Sequence, residues 1–203
     1  PASFAEEDPR VLTEFMRAHS FATLVCQLEG APFATHLPLY CDADKQVLLG
    51  HMARANAQWR ALASAGEVLA IFTGPHAYIS PTYYAEDSAV PTWNYAAVHV
   101  YGRAVLVEEI AEQKRILQTL TAAYEGLRAE PWQPNWQDRN HADKLAAIAF
   151  FCIEIKKIEG KFKLSQNRSS EDRQAAVEAL KRVDTDNARG VAALMREQLD
   201  ARE

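Results

Sequence analysis

The chain has 203 residues, of which 48% are apolar and 24% are charged, and its net charge is −5. These values are typical of one globular domain with a sizeable core, and they exclude a chain too polar to fold. A net negative charge disfavours a protein that wraps nucleic acid, although it leaves room for a local basic patch.

Two features of the sequence indicate the compartment. Residues 1–10 are acidic and lack the apolar stretch of a signal peptide, and no apolar run reaches the length of a membrane span. The three cysteines, Cys26, Cys41 and Cys152, are far apart, which is typical of a reducing compartment rather than of a disulfide framework. We therefore expect a cytoplasmic protein that does not contact a membrane.

The first third of the chain predicts one helix followed by short strands. Asp8 and Pro9 form a helix start, because an N-cap acceptor precedes a proline at the first helical position. The apolar face of this helix consists of Val11, Leu12, Phe15 and Met16. Pro38 indicates a sheet edge or an interrupted ladder, and a short helix is expected over residues 56–64. Strands are predicted over residues 21–28, 32–40, 47–52 and 67–73.

The rest of the chain alternates helices with two further strands. Residues 74–95 look irregular because prolines and aromatic residues interrupt any alternation, and Gly102 indicates a bulge in the strand that follows. Strands are predicted over 95–108 and 150–158, and helices over 110–128, 139–149, 170–182 and 186–201. The helix over 110–128 has an apolar face of Ile110, Leu117, Leu120, Tyr124 and Leu127. Short strands separated by turns favour a small antiparallel barrel with helices packed outside.

The common catalytic motifs are absent from the sequence. It contains no phosphate-binding glycine loop, no nucleophile elbow, no H-E-x-x-H and no C-x-x-C. The six histidines show no helical metal-ligand spacing. We therefore expect no metal site, and no motif identifies a catalytic residue.

The first candidate site segment is residues 50–60, GHMARANAQWR, where a strand ends and a helix begins. Free backbone N–H groups at a helix start suit a phosphate, and Arg54 adds a positive charge. The alternative is a capped turn with a solvated arginine.

The second candidate segment is residues 91–99, which place an aromatic ring, an amide and a hydroxyl at the entry to a strand. Trp93 and Asn94 would suit a flavin, whose ring needs an apolar wall and a few amide groups. The alternative is that Trp93 and Tyr95 are core residues and that His99 is structural.

The third candidate segment is residues 159–168, in which three cations fall within eight residues without an intervening acid. Strand alternation would place Lys161, Lys163 and Ser165 on one face. Such a cluster suits a phosphate or a nucleotide-like ligand. The alternative is a solvated strand edge whose lysines prevent edge-to-edge aggregation. The polar run over residues 166–168 is longer than this protection requires.

Four segments, in this order and spacing, resemble the PaiB-like family of FMN-binding negative transcriptional regulators. The resemblance extends over about residues 4–200, and the helix start at Asp8 and the A-T-H-L-P-L strand also fit it. The segments are GHMARANAQWR (50–60), GPHAYISPTYY (74–84), VPTWNYAAVHVYGR (90–103) and EGKFKLSQNR (159–168).

The resemblance implies a mainly β fold with flanking helices, the antiparallel split β-barrel of the FMN-binding type. The barrel with its packed helices would occupy residues 1–168, and residues 169–203 would be a helical extension of the same domain. The protein would be a homodimer with noncovalent FMN at the subunit interface, possessing the regulatory role of the family.

The motif match also implies a set of FMN-binding residues. On the phosphate side they are His51, Arg54 and Asn56, and on the ring side they are Trp93 and Asn94. Four residues of the third segment would reach the flavin of the partner subunit: Lys161, Lys163, Gln166 and Asn167. His36 lies in a strand that often borders the flavin in split barrels.

Two other functions stay open on the sequence: a flavin-dependent oxidoreductase that uses NADH or NADPH, and a haem-binding or haem-degrading protein. Because the flavin itself performs the redox chemistry, a missing catalytic motif does not exclude an enzyme. DNA binding has little support, because residues 170–203 hold eight acids against six bases. We interpret these helices as solvated faces or an arm that covers the dimer.

Overall fold

The computed structural model describes residues 1–64, 66–84, 90–126 and 128–200, with the backbone alone at positions 139 and 142. Two short 3-10 helices, Ala2–Phe4 and Pro81–Tyr83, accompany the main elements. The strands in this part of the chain are β1 (Ala5–Glu6), β2 (Phe21–Leu28), β3 (Ala31–Asp42), β4 (Val47–Ala53), β5 (Val68–Ile79), β6 (Thr92–Val107) and β7 (Ile148–Lys163). The α-helices are α1 (Pro9–Ala18), α2 (Gln58–Leu62), α3 (Ile110–Glu125), α4 (Arg139–Ala146), α5 (Ser170–Lys181) and α6 (Asp186–Asp200).

The strands form one sheet in the order β1-β7-β4-β3-β2-β5-β6. In addition to its pairing with β5, β6 also pairs with β7. The pairs whose register is defined are antiparallel. β3 pairs with β2 up to Pro38 and with β4 from Leu39 onward. The ladder therefore changes partner at the residue that lacks an N–H, which confirms the interrupted ladder predicted there. The predicted mainly β fold with flanking helices is confirmed.

The chain groups into two compact units. We call the unit of residues 16–72 and 99–158 the barrel unit, and the unit of residues 1–15, 73–98 and those from 159 onward the terminal unit. Strands β5, β6 and β7 each contribute residues to both. No described helix is long and apolar enough to cross a bilayer.

The core of the barrel unit is built from alternating strand residues and from one stripe of α3. Because successive side chains of a strand point to opposite faces, burial alternates along β2 and β6. α3 contributes Ile116 and Leu120, whereas Ile110 is 60% exposed and Tyr124 is 47% exposed, so the predicted apolar face was wrong at these two positions. Leu127, the last predicted member, lies outside the described residues. The cluster under α3 and α4 consists of Leu49, Ile116, Leu120, Leu145 and Phe150.

The core of the terminal unit joins α1, the end of β7 and the two C-terminal helices. Phe15 of α1 packs on Phe162 of β7 with ring centroids 5.0 Å apart. Val11 is 37% exposed, so its predicted place on the buried face of α1 was wrong. Helices α5 and α6 have apolar residues buried along one side, and α5 also buries the charged residues Asp172 and Arg173. The buried residues of this pair include Ala176, Val177, Leu180, Ala188, Val191, Ala192 and Met195.

The largest differences from the predicted elements are in three strands, which extend the sheet into the candidate segments. Helix α4, predicted over 139–149, ends at Ala146, and β7 begins at Ile148. β5 continues to Ile79 through Gly74, where a β-carbon would lie 2.6 Å from the Phe15 ring. Glycine is therefore accommodated there for close packing rather than as a strand end. β6 begins at Thr92, inside the segment that was predicted as irregular. β7 reaches Lys163 and is longer than the strand predicted over 150–158, so Lys161 and Lys163 lie in a strand, as their alternation indicated. Helix α2 is shorter than expected and begins at Gln58.

Gly102 permits a close approach of two strands. A β-carbon at this position would overlap the carbonyl oxygen of Glu154 in β7. The predicted importance of this glycine therefore has a physical reason in strand spacing, while the bulge itself stays a prediction.

Candidate functional site

The turn from β4 into α2, residues 53–58, uses several of its backbone N–H groups internally. The N–H of Arg54 donates to the Ala147 carbonyl at 2.9 Å, and that of Asn56 donates to the Ala53 carbonyl at 2.9 Å. The N–H of Gln58 donates to Asn56 Oδ1 at 3.0 Å. The prediction that free backbone donors await a phosphate here was therefore wrong for these three groups, because the turn itself consumes them.

Two amide side chains fasten this turn to the sheet. Asn56 Nδ2 donates to Thr35 Oγ1 at 2.9 Å. Gln58, which is fully buried, donates to the carbonyls of Leu24 at 3.0 Å and Phe33 at 3.3 Å. The anchoring role of Gln58 was missed, because nothing in a sequence distinguishes a buried glutamine from the exposed ones that are more common.

Arg54 lies on the surface against an aromatic ring. Its guanidinium is 5.0 Å from the Trp59 ring centroid, and the guanidinium of Arg60 is 4.9 Å from the same centroid. Trp59 Nε1 also donates to the Arg54 carbonyl at 2.9 Å. The structure thus places two positive charges beside the turn, exposed to solvent and available to an anion.

The two predicted histidines of the barrel unit have different surroundings. The ring of His51 lies 5.5 Å from that of Phe150, and its Nδ1 is buried without a hydrogen-bond partner in the described part of the chain. Burial lowers the pKa of His51 below its ordinary value, so the ring is mainly neutral at pH 7. His36 is exposed, and its ring stacks on that of Phe21 with the centroids 6.4 Å apart. This contact is with β2 and not with the turn from β4 into α2.

At the end of β7, the structure joins the second and third candidate segments. Lys163 Nζ donates to the Trp93 carbonyl at 2.9 Å and also to Thr92 Oγ1. Lys161 Nζ lies 5.9 Å from the centroid of the Tyr95 ring. Two cations predicted from one segment therefore lie beside the aromatic residues predicted from another, which is an arrangement that only the sheet could create.

Trp93 is 53% exposed, so the alternative that it is a core residue was wrong. Its indole contacts His76 at 6.2 Å and Tyr78 at 6.0 Å between ring centroids. A large exposed aromatic surface of this kind is available to a planar ligand.

Asn94, next to Trp93, is fully buried and joins a network of polar side chains. Its Nδ2 donates to Ser165 Oγ at 2.9 Å and lies 3.4 Å from the sulfur of Met195. Its Oδ1 has no hydrogen-bond partner among the described residues. The hydroxyl groups of Tyr84 and Ser165 are also hydrogen bonded, at 2.9 Å.

Ser165 does not share the exposed face of the two lysines, as alternation had predicted. The strand ends at Lys163, and Ser165 is buried with a left-handed φ of 63°. This backbone conformation is uncommon for a residue with a β-carbon and turns the hydroxyl inward.

The remaining residues of the third segment shape the turn after β7. Gln166 accepts from the Leu164 N–H at 2.7 Å and donates to the Phe162 carbonyl, so its side chain stabilises the turn. Asn167 is exposed and faces a pocket. The guanidinium of Arg168 lies 4.9 Å from the centroid of the Tyr84 ring. Tyr84, Ser165 and Arg168 were not predicted as site residues, although the cation spacing of the segment could have indicated Arg168.

The terminal unit therefore contains groups that a flavin nucleotide requires: two lysines for a phosphate, an exposed indole for the ring and a buried amide with an unused oxygen. These residues fit FMN. The described residues contain no group of three side chains that could hold a metal ion.

Comparison with known proteins identifies the class. The family described as "Putative FMN-binding domain" matches residues 1–157. The chain belongs to this FMN-binding family, whose cofactor is FMN. Among curated proteins it is 37% identical over 205 residues to the "Protease synthase and sporulation protein PAI 2" of Bacillus subtilis, with 98% of this chain and 97% of the relative covered. The predicted PaiB-like membership is confirmed.

Solved structures confirm the fold. The flavocytochrome Anf3 of Azotobacter vinelandii superposes with a TM-score of 0.66 at 19% identity, covering 85% of this chain and 75% of the other. The FAD and haem binding protein of Mycobacterium smegmatis superposes with a TM-score of 0.64 at 17% identity, covering 85% and 79%. At these identities the likeness shows the fold alone, and it confirms the predicted split β-barrel of the flavin-binding type.

Proposed function

We propose that the chain acts in the cytoplasm as a homodimer with FMN at the subunit interface, serving a regulatory role of the PaiB type. Family membership supports the cofactor, and the full-length match to a protein named for sporulation supports a regulatory role over a dedicated metabolic one. We further propose that residues 169–203 belong to the same domain as residues 1–168, as a helical extension.

The observation that carries the flavin site is the contact of Lys163 with the Trp93 carbonyl. It holds an ammonium group beside an exposed indole, and a flavin nucleotide presents an anion and an aromatic ring on one molecule. A charge-assisted contact to the phosphate and a ring contact to the indole can thus be made by neighbouring residues.

We assign the proposed site residues to different parts of FMN. Charge and exposure favour Arg54, Lys161 and Lys163 for the phosphate, exposure favours Trp93 for the ring, and the neutral His51 would contact FMN by a hydrogen bond rather than by charge. The full proposed set is His36, His51, Arg54, Asn56, Trp93, Asn94, Lys161, Lys163, Gln166 and Asn167. Of these, the last four reach the flavin of the partner subunit.

The first experiment is the visible absorption spectrum after incubation with FMN and desalting. We expect retained flavin bands and, on gel filtration, the mass of a dimer. A colourless protein that also fails to quench FMN fluorescence would contradict the proposal.

The lysine pair is then replaced in the variant Lys161→Ala/Lys163→Ala. Loss of two charge-assisted contacts should weaken FMN binding by about 10- to 100-fold, measured by fluorescence quenching. The matched control is Lys156→Ala/Lys157→Ala, which removes two exposed lysines from the same strand and should bind FMN as the parent does. Equal affinities in the two double variants would remove the lysine pair from the site.

A second candidate function is a flavin-dependent oxidoreductase, favoured by an aromatic pocket of about 340 Å³ beside Trp93, lined also by His76, Tyr78 and Tyr83. Such a pocket suits a planar substrate. Bleaching of the bound flavin by NADH or NADPH would support this function, and a Soret band on haem titration would instead favour the haem-binding alternative.

A further inference from the structure

A pocket of about 180 Å³ lies in the barrel unit, where the C-terminal ends of α1 and α3 meet β3. A cavity of roughly 150 Å³ is large enough for benzene, so this pocket has room for a small organic molecule. Its described lining contains one cation, no carboxylate and no residue of the proposed FMN site. The lining residues are Arg17, Ser20, Leu39, Tyr40, Ala123 and Tyr124.

Arg17 lies in the last turn of α1, and its guanidinium is held in place without the help of an acid. Nε and Nη2 donate to the Cys41 carbonyl at 3.3 and 3.2 Å, and the group lies 5.6 Å from the centroid of the Tyr40 ring. Because a guanidinium has five N–H groups, three of them, on Nη1 and Nη2, have no acceptor in the part of the chain that the structure describes. The edge formed by Nη1 and Nη2 can bind both oxygens of a carboxylate at once.

The charge of Arg17 is also unpaired, unlike that of other arginines of the chain. Arg115 pairs with Glu112 and Arg189 pairs with Asp186, each within its own helix. Arg17 has no ion pair among the described residues, although the chain carries 27 acidic residues against 22 lysines and arginines. An anion from outside the chain can therefore take the place of the missing acid.

The hydroxyl groups of the pocket provide further donors. Tyr124 Oη donates to Ser20 Oγ at 2.8 Å, so the Ser20 hydroxyl is the acceptor in this bond and keeps its own hydrogen. Neither this hydrogen nor the Tyr40 hydroxyl has a partner within the described ranges. The pocket can thus donate to a ligand from one cation and from two hydroxyls.

The apolar side of the pocket favours an organic acid over an inorganic anion. It is formed by the fully buried Leu39 and by Ala123, neither of which has a side-chain donor. Phosphate has oxygens on every side, and those that face this apolar surface would lose water without gaining a hydrogen bond. A monocarboxylate has both oxygens at one end and hydrocarbon at the other, so it matches the two sides of the pocket.

We infer that the pocket between α1, β3 and α3 is a binding site for a small monocarboxylate with a short alkyl group. Arg17 and Ser20 bind the carboxylate, and Leu39 and Ala123 contact the alkyl group. The site is separate from the residues proposed for FMN, so the inference does not depend on the proposed function.

The test is a titration of butyrate into the isotopically labelled full-length protein with saturating FMN, followed by backbone amide chemical shifts. We expect saturable shifts centred on residues 17–20, 39–40 and 123–124. Butyramide has the same shape without the charge, and it should bind more weakly by about tenfold or more. Inorganic phosphate should also bind about tenfold or more weakly than butyrate.

A series of chain lengths tests the apolar side of the pocket. From acetate to propionate to butyrate, each CH₂ group that becomes buried against Leu39 and Ala123 should tighten binding by about fourfold. Equal affinities along the series would overturn the assignment to an organic acid.

Two variants test the polar side. Arg17→Gln removes the charge and should weaken butyrate binding by about 10- to 100-fold. Ser20→Ala removes one donor and should weaken it by about three- to tenfold, and it serves as the second variant if Arg17→Gln does not fold. The matched control is Arg10→Gln, which removes a cation of the same helix that is 89% exposed and does not line the pocket. It should bind butyrate as the parent does.

The variant Lys161→Ala/Lys163→Ala separates this pocket from the proposed FMN site. It should keep the parental affinity for butyrate even where it loses FMN, and loss of butyrate binding in this variant would overturn the inference. The inference also fails if the amide shifts do not saturate, if butyramide or phosphate binds as well as butyrate, or if folded Arg17→Gln or Ser20→Ala keeps the parental affinity.

Discussion

Two asparagines of the candidate site show how differently the two units use the same side chain. Asn56, in the turn after β4, is satisfied at both ends: its Nδ2 donates to Thr35 and its Oδ1 accepts from the Gln58 N–H. Asn94, in β6, donates through Nδ2 but has no described partner for Oδ1. The first amide is committed to the fold, whereas the second has capacity left for a ligand. The comparison teaches that a predicted site residue must be judged by its unused hydrogen bonds.

The largest expected effect is on the free energy of unfolding, and it distinguishes a buried ring that stabilises the fold from an exposed ring that is available to a ligand. Phe150 is buried under His51 in the barrel unit, so Phe150→Ala should lower the free energy of unfolding by about 3–5 kcal/mol. Trp93→Ala removes a larger ring that is half exposed, and we expect a loss of about 1 kcal/mol or less. Urea unfolding of both variants measures the difference.

Flavin fluorescence provides the second half of this comparison. If the indole borders the ring, Trp93→Ala changes the emission of bound FMN, since the aromatic contact is lost. An identical spectrum in the fully loaded variant would count against Trp93 as a ring contact. A large loss of stability in Trp93→Ala would instead mean that its exposed indole is a structural group.

A smaller effect distinguishes two amides of the site. Asn56→Ala removes two hydrogen bonds that hold the turn, so the free energy of unfolding should fall by about 1–2 kcal/mol. Asn167→Ala removes an exposed amide at the pocket beside the turn after β7 and should stay within about 0.5 kcal/mol of the parent. Thermal melting measures both, and a more stable Asn56→Ala would refute the structural role of that residue.

The smallest effect is the pH dependence of stability. Burial lowers the pKa of His51 and of His19 below the ordinary 6.5, so the unfolded chain binds more protons than the folded one. Their stabilising contribution is complete above pH 6.5 and is lost as the pH falls from there through the lower folded-state values. Melting temperatures should therefore drop on acidification from about pH 7.5 to about pH 5.5.

The variant His51→Gln should reduce this pH dependence, because one of the two partly buried imidazoles is gone. The matched control is His36→Gln, which replaces an exposed histidine of the same site and should keep the parental response. The same slope in His51→Gln and in the parent would mean that the burial of His51 has no consequence for stability.

The sequence alone determined the class of the protein and most of its elements. Asp8 and Pro9 marked the start of α1, and residues 21–28 form the predicted strand, because capping and alternation depend on neighbours along the chain. The order of the four motifs was sufficient for the family. The sequence pattern predicted a strand end at Gly74 and Pro75, but both residues lie inside β5. The reason is their packing in the tertiary structure, Gly74 against Phe15 and Pro75 against Gly190.

Only the tertiary structure decided which candidate residues keep hydrogen-bonding capacity for a ligand. Sequence placed Trp93 and Lys163 seventy residues apart, and the sheet brings the Lys163 ammonium to the Trp93 carbonyl. It likewise joined Tyr84 and Asn94 to Ser165, whose left-handed backbone no alternation pattern predicts. The physical reason is that hydrogen-bond capacity is a balance over all neighbours of a group in space, whereas a sequence motif shows only its neighbours along the chain.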